Sequence, residues 1–526
     1  MASSPISIAI IALYFAGLIL TGIWSARRKG DSNQYLNATS SLPLFICAAA
    51  CIAANCGSLE IFAMTALGAQ YGMLACHFYW IGAIPALLAV AFWLLPDYMR
   101  RRNPTVLDYI GRHYGSATRS IVAVCMASMM LLIAGVSLCA VAQTFTVFMG
   151  WSFLRATLIA AAVVLFYTWA GGFRATVYTE LFHFVLVLIA VAPLLFLVAR
   201  ELGGFHSLFA GIPSSRLHIW QGVPFFAPHA VMDRLGLLFG LGLVLSFGFW
   251  TTDFVQLQRM LAVRTPRDAP FIPLSIASAK FVFALLIVLT GVAAPMVLPS
   301  VGVGNNWNLT LPSLMLHYYK SIWLLIGFMG LAASMLSTFS NNVAGFTSAW
   351  VQGVYQQRIA TGASDRHYTW VSRVTNALVV FLSIGAAYFA LHFKSLMEYI
   401  QLILSTFNAP LFALIALAAI IPRRAAAGGR VGFLFGLACS ATVQVLALSH
   451  VIAFGSQMAA NFYAASVGFA AALAATLIIG SRRVVAVEER PSNETPVVRS
   501  RTISASALAT GIGLAALFVV FNVVFW

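Results

Sequence analysis

The stretch CIAANCGSLEIF at 51–62 interrupts an apolar run with Asn55, Gly57, Ser58 and Glu60. An unbroken lipid-facing helix has no use for these residues. A helix that opens near the bilayer midplane does, because lipid offers no partner for freed backbone groups and they must be satisfied by protein or by a ligand. Broken helices of this kind build the solute and cation sites of secondary transporters. A second stretch, LAASMLSTFSNNVAG at 331–345, raises the same question in another run. Ser334, Ser337, Asn341, Gly345 and Ser348 follow at intervals of three and four and so share one helical face, flanked by Thr338 and Asn342. Read alone, that face also fits close helix packing by small residues, with hydroxyls bonded back to carbonyls one turn earlier.

Around these stretches the whole chain reads as membrane. Of 526 residues, 61% are hydrophobic and 8% charged, and the mean hydropathy is +0.92. About fourteen apolar windows of spanning length begin near 5, 42, 74, 118, 152, 175, 234, 273, 319, 369, 395, 428, 459 and 504. The first has no basic stretch before it and ARRKG after it, which predicts a retained helix and not a cleaved leader. The expectation is an all-α polytopic protein with one transporter-sized domain, embedded in a lipid bilayer. The net charge of +16 sorts by loop. With the N-terminus outside, ArgArgLys at 27–29, ArgArgArg at 100–102, Arg259, Arg358, Arg366 and the basic residues of 482–501 fall inside. Arg155, Arg200, Arg216, Arg234, Lys320 and Lys394 fall outside. This is the positive-inside asymmetry, so the charge reports orientation and no nucleic acid is expected as a partner. Both termini are expected outside, in a plasma (inner) membrane.

Ionisable residues within spans are functional candidates by default. Glu60, Glu180, Asp253, Glu398 and Lys280 qualify, although TTDFVQLQRMLAVRTPRD (251–268) also reads as a helix end at which Asp253 only anchors Arg259. The seven cysteines lie in predicted spans without a CxxC and read as packing residues. The ten histidines show no metal-ligand spacing, and no acid/base pair or nucleophile clusters at one depth, so an enzyme is not expected.

Five ordered segments carry a resemblance: AANCGSLEIFAMTALGAQYG (53–72), GGFRATVYTELFHF (171–184), FWTTDFVQLQRMLA (249–262), ASMLSTFSNN (333–342) and YIQLILSTFNAP (399–410). The chain resembles the sodium:solute symporter family, which includes sodium/glucose and sodium/proline cotransporters. The resemblance implies the leucine-transporter fold of two inverted five-helix repeats, at about 42–199 and 234–422, with an extra helix at 5–25 and further helices over 428–526. It implies sodium as the coupling ion, with no organic cofactor, held by the carbonyls of Ala53, Cys56 and Ser334 and the hydroxyls of Ser337 and Thr338. Five neutral oxygens suit a hard monovalent cation that must leave again. It implies substrate contacts at Asn55, Glu60, Lys280 and Gln401, an aromatic gate at Phe249 beside Trp250, and either cation passage or an Arg pairing at Glu180. The sugar-carrying branch commonly has Glu where this chain has Tyr79 and Tyr where it has Phe249, and both departures remove hydrogen-bonding capacity. The expected function is import of a small polar solute, a sugar or polyol, by sodium-coupled alternating access. A carboxylate or amino acid paired to Lys280 stays open, as do a proton-coupled carrier and a non-transporting sensor of the same fold.

Overall fold

The computed structural model describes residues 43–100, 105–261, 263–301, 307–421, 427–482 and 504–526. The helix expected at 5–25 and most of the inner loop 482–503 lie outside these residues. Among the described residues there is no strand, and ten helices are long and apolar enough to cross a membrane. Four shorter apolar helices, Leu44–Asn55, Ile84–Leu94, Phe153–Phe166 and Gly236–Thr252, accompany them.

The first span is broken where the polar residues predict. Helix α1 (Leu44–Asn55) stops at Cys56, and α2 (Ser58–Tyr71) restarts after an extended Gly57 with φ −74° and ψ 176°. Helix α3 (Val106–Met149) is bent at Gly115, whose φ of 82° no ordinary side chain favours. The runs expected to begin near 152 and 175 are joined as one helical stretch, α4 (Phe153–Glu201), which carries two separate apolar segments, 153–166 and 182–201. A π-helical lead, Gly236–Leu245, enters α5 (Ser246–Thr252). That helix ends at Asp253, whose ψ of 106° is extended, and α6 (Phe254–Leu261) follows directly. The Asp253 carboxylate accepts from the Gln256 amide at 2.9 Å, so it caps α6.

The remaining long elements are α7 (Phe271–Phe283, continuing helically to Val297), α8 (Ser321–Trp350), α9 (Asp365–Ala390), α10 (Leu396–Ile420), α11 (Gly429–Leu448), α12 (Gln457–Arg482) and α13 (Ala505–Val524). Helix α8 packs against α3 and α4, and α10 against α12, which leaves α1, α2, α5 and α6 facing the middle. Helix α2 crosses the continuation of α7 at very short range. A Cβ added at Gly68 would lie 2.4 Å from the Val288 carbonyl, and one added at Gly291 would lie 2.1 Å from that of Thr65. Only glycines permit this approach, as at small-residue crossings in membranes.

The long connection after α4 returns over α2. Arg216 donates to the carbonyls of Gly68 and Ala69 and thereby satisfies groups at the C-terminal end of that helix. The Ile219 amide donates to the Phe525 carbonyl at 2.9 Å and Gln221 to that of Trp526 at 3.0 Å, so this loop and the end of α13 share one face of the protein.

Candidate functional site

The two breaks and α8 enclose a cavity of about 220 Å³. Every residue singled out for substrate contact lines it: Asn55, Glu60, Tyr79, Phe249, Trp250, Lys280 and Gln401. They come from four separate parts of the chain. Tyr79 is not inside a helix, as its place in the third apolar run suggested, but in a turn after the short helix Gly72–Phe78.

Glu60 occupies the first turn of α2, where the positive end of the helix favours a carboxylate. The Lys280 ammonium from α7 reaches it at 2.5 Å, with side-chain exposures of 5% for the lysine and 19% for the glutamate. The same ammonium lies 4.8 Å from the centre of the Tyr79 ring and 5.8 Å from that of Trp250. Charge at this level of the cavity is therefore compensated within the protein, by one anion and two π faces. Phe249 meets Trp250 edge to face at 5.1 Å.

The break at 56–57 is tied to α8. The Ser58 amide, freed by the interruption, donates to Ser334 Oγ at 2.9 Å, and the Ser58 hydroxyl donates to the Gly330 carbonyl at 3.4 Å. Thr338 Oγ1 donates to the Ser334 carbonyl at 3.1 Å, while the Ser337 hydroxyl is buried without a hydrogen-bond partner among the described residues. Gly57 explains why these oxygens can converge. Its φ is negative, so the backbone does not require glycine, but the space around it is tight. A Cβ there would lie 3.2 Å from Ala53 O, 3.3 Å from Ser334 Oγ and 3.4 Å from Thr338 Oγ1. Two of the five oxygens expected around a cation, Ala53 O and Thr338 Oγ1, thus border one small gap, to which Ser334 presents its hydroxyl and not the expected carbonyl. Gly57→Ala would place a methyl among them, and the sodium concentration giving half-maximal uptake is expected to rise at least tenfold, roughly 1.4 kcal/mol. An unchanged sodium dependence of uptake in proteoliposomes would remove this gap from the cation's surroundings.

Glu180 has the arginine pairing. Arg259 Nη2 from α6 contacts its two carboxylate oxygens at 2.8 and 3.0 Å, and Asn341 Nδ2 from α8 donates to Oε1. The pair is closed from solvent, with exposures of 1% and 3%. Arg259 therefore ties to α4, while the Asp253 carboxylate holds the start of its own helix. Glu398, at the start of α10, accepts from Tyr71 at 2.5 Å and Gln70 at 3.1 Å, which joins the far end of α2 to α10.

Ser246, Gln256 and Asn408 of the cavity wall were not singled out from the sequence, and Asn341 and Asn342 were noted there without a substrate contact. Asn341 and Asn342 were visible as polar positions in an apolar run. Ser246 and Asn408 carried no such signal, because a lone Ser or Asn in a span reads equally well as helix packing.

Comparison with known proteins agrees with this architecture. A sodium-coupled sialic acid symporter, described in a substrate-bound outward-open state, superposes with a TM-score of 0.76 over 91% of this chain and 98% of its own, at 14% identity, a likeness of fold. The sodium/glucose cotransporter 4 of Danio rerio is 25% identical over 472 residues, covering 82% of this chain and 70% of that protein. The sodium/mannose cotransporter of Bos taurus is 26% identical, covering 85% and 80%. The sodium/glucose cotransporter of Vibrio parahaemolyticus is 22% identical, covering 72% and 74%. With the family model matched across residues 35–436, the chain belongs to the sodium:solute symporter family.

Proposed function

We propose that this transporter carries a neutral polyhydroxylated solute, a sugar or polyol, together with sodium by alternating access. The observation that carries the neutral solute is the Glu60–Lys280 contact inside the cavity. A carboxylate substrate would have to displace Glu60 from Lys280 or bind beside it, leaving two carboxylates to share one cation in a largely enclosed site, which is unfavourable. A neutral solute avoids that cost. It also finds what a hydroxyl needs, since Ser246 Oγ, Gln401 Oε1 and Gln256 Oε1 are buried and unpartnered among the described residues. The printed names of relatives, glucose, mannose and myo-inositol cotransporters, point the same way.

The sodium site in this reading comprises the carbonyls of Ala53, Cys56 and Ser334 with the hydroxyls of Ser337 and Thr338. The gap at Gly57 and the unpartnered Ser337 hydroxyl support it. Asn55, Glu60, Tyr79, Phe249, Trp250, Lys280 and Gln401 form the substrate wall. Glu180, held by Arg259 and Asn341, lies in the cation's path toward the side of α6. The breaks at 56–57 and 253 are the equivalent interruptions of two repeats, 42–199 and 234–422, within fourteen crossings that place both termini outside a plasma membrane.

Uptake into proteoliposomes of radiolabelled sugars, polyols, amino acids and carboxylates, with and without a sodium gradient, tests the assignment. Sodium-driven uptake of a sugar or polyol is expected. Uptake only of a zwitterionic amino acid, which can insert its two charges between Glu60 and Lys280, would overturn the neutral assignment. Because Ser337 and Thr338 are the two side-chain ligands, replacing both with Ala is expected to raise the half-maximal sodium concentration more than either change alone. Sodium-independent uptake by the unmutated protein would sink the coupling.

A further inference from the structure

Helix α10 presents two polar faces that are treated in opposite ways. On the face turned to α11 and α12 the groups are paired. Gln444 donates to Ser405 Oγ at 2.8 Å and to Asn461 Oδ1 at 2.9 Å, Ser440 donates to the Ser405 carbonyl at 2.9 Å, and Asn461 donates to the Glu398 carbonyl at 2.9 Å. On the face turned to the cavity, Gln401 and Asn408 lie seven residues apart. That interval is two turns, about 10 Å along the helix. Among the described residues Gln401 Oε1 has no hydrogen-bond partner, and neither has Nδ2 or Oδ1 of Asn408, a residue only 1% exposed. A buried carboxamide with both ends unsatisfied is costly. It persists where something that enters the site completes it.

Asn408 lines the cavity and packs against α5. Gly248 of α5 passes so close that a Cβ there would lie 3.4 Å from the Asn408 carbonyl oxygen, and Phe249 on the same turn lines the same cavity. Asn408 therefore stands level with the Phe249 turn, on the side of Gln401 that leads toward Ile420. A carboxamide combines one donor edge and one acceptor edge, a match for a hydroxyl that donates and accepts together or for two adjacent hydroxyls.

We propose that Asn408 is a further specificity-determining residue of this cavity, contacting hydroxyl groups of the neutral solute two turns farther along α10 than Gln401. The inference rests on the neutral-solute reading above and adds a second polar level to it. Buried pairing of this kind discriminates strongly against an analogue that lacks the hydroxyl, because the amide is then left unpaired.

The test compares the unmutated protein with Asn408→Ala and Asn408→Asp in proteoliposomes, using D-glucose, D-mannose and myo-inositol and the monodeoxy forms of whichever is carried. The KM of the parent solute is expected to rise roughly five- to 150-fold in Asn408→Ala. Sodium-dependent tryptophan fluorescence measured without solute should stay as in the unmutated protein. One deoxy analogue should be discriminated against by the unmutated protein and not by Asn408→Ala, while the penalties of the other analogues persist, the non-additivity expected of two groups in contact. Unchanged KM and analogue ranking would overturn the proposal. So would a loss of sodium response in both variants, which would make Asn408 a structural residue. If the unmutated protein shows the sodium response but carries none of these solutes, the neutral-solute reading itself falls.

Discussion

Arg259→Met is expected to destabilise the protein severely, lowering yield and the thermal unfolding midpoint in detergent, because it strands the Glu180 carboxylate in the interior. The guanidinium and carboxylate are 1% and 3% exposed, and removing one member of such a pair costs about 3–5 kcal/mol. Asn341 remains as a donor to Glu180 but carries no charge. Helix α6 spans only Phe254–Leu261, too short to be stable by its own hydrogen bonds, so its attachment to α4 through Arg259 is expected to matter beyond the electrostatics. The double variant Glu180→Gln with Arg259→Met removes both charges and should recover much of the loss. Equal destabilisation of the single and double variants would show that shape, and not charge pairing, holds α6 in place. Sodium-driven uptake in the double variant then reports separately on Glu180 and the cation's passage.

The second large effect concerns solute charge. Glu60→Gln removes the anion beside the Lys280 ammonium and leaves it a neutral amide oxygen, with the Tyr79 and Trp250 rings nearby. Small organic acids are then expected to compete for the site. A charge-assisted hydrogen bond contributes about 1.5–3 kcal/mol, roughly a 10- to 150-fold gain in their affinity. Lys280→Met should have the opposite sign, leaving the partly enclosed Glu60 without its cation and suppressing uptake of neutral solutes as well. Competition by acetate, lactate and succinate against the labelled neutral solute measures both. Equal competition in the unmutated protein would show that Glu60 does not neutralise the lysine in the working transporter, and the neutral-solute assignment would fail.

Much of the site could be read before folding was considered, for one physical reason. In a chain that is 61% hydrophobic, a polar side chain within a span is expensive unless it is partnered, so Glu60, Lys280, Ser337 and Thr338 stood out by contrast, while Gln401 was marked only through the family resemblance. The break at 56–57 was legible because Asn, Gly and Ser follow one another in an apolar run, and the structure interrupts the helix there. The boundaries of the third run were less legible. Residues 72–83 are apolar enough to pass for a span, but they form a short 3₁₀ helix and a turn, and mean hydropathy does not distinguish buried irregular backbone from helix.

What the sequence determined by itself was the membrane class, the positions of the polar interruptions and, through five ordered motifs, the family resemblance, since all of these depend on local composition and order. Which charge meets which was decided only by the tertiary structure. Lys280 follows Glu60 by 220 residues in the chain yet lies 2.5 Å from it, and Arg259 follows Glu180 by 79 residues yet lies 2.8 Å from it. Asn408 belongs to the same class of fact. An isolated asparagine in a span reads as packing until the neighbouring helices are in place, and then it is seen to line a cavity with both amide atoms buried and unpartnered among the described residues. Desolvation makes such groups costly, but whether a given group is desolvated, paired or aimed at a ligand depends on helix orientations that no local pattern encodes.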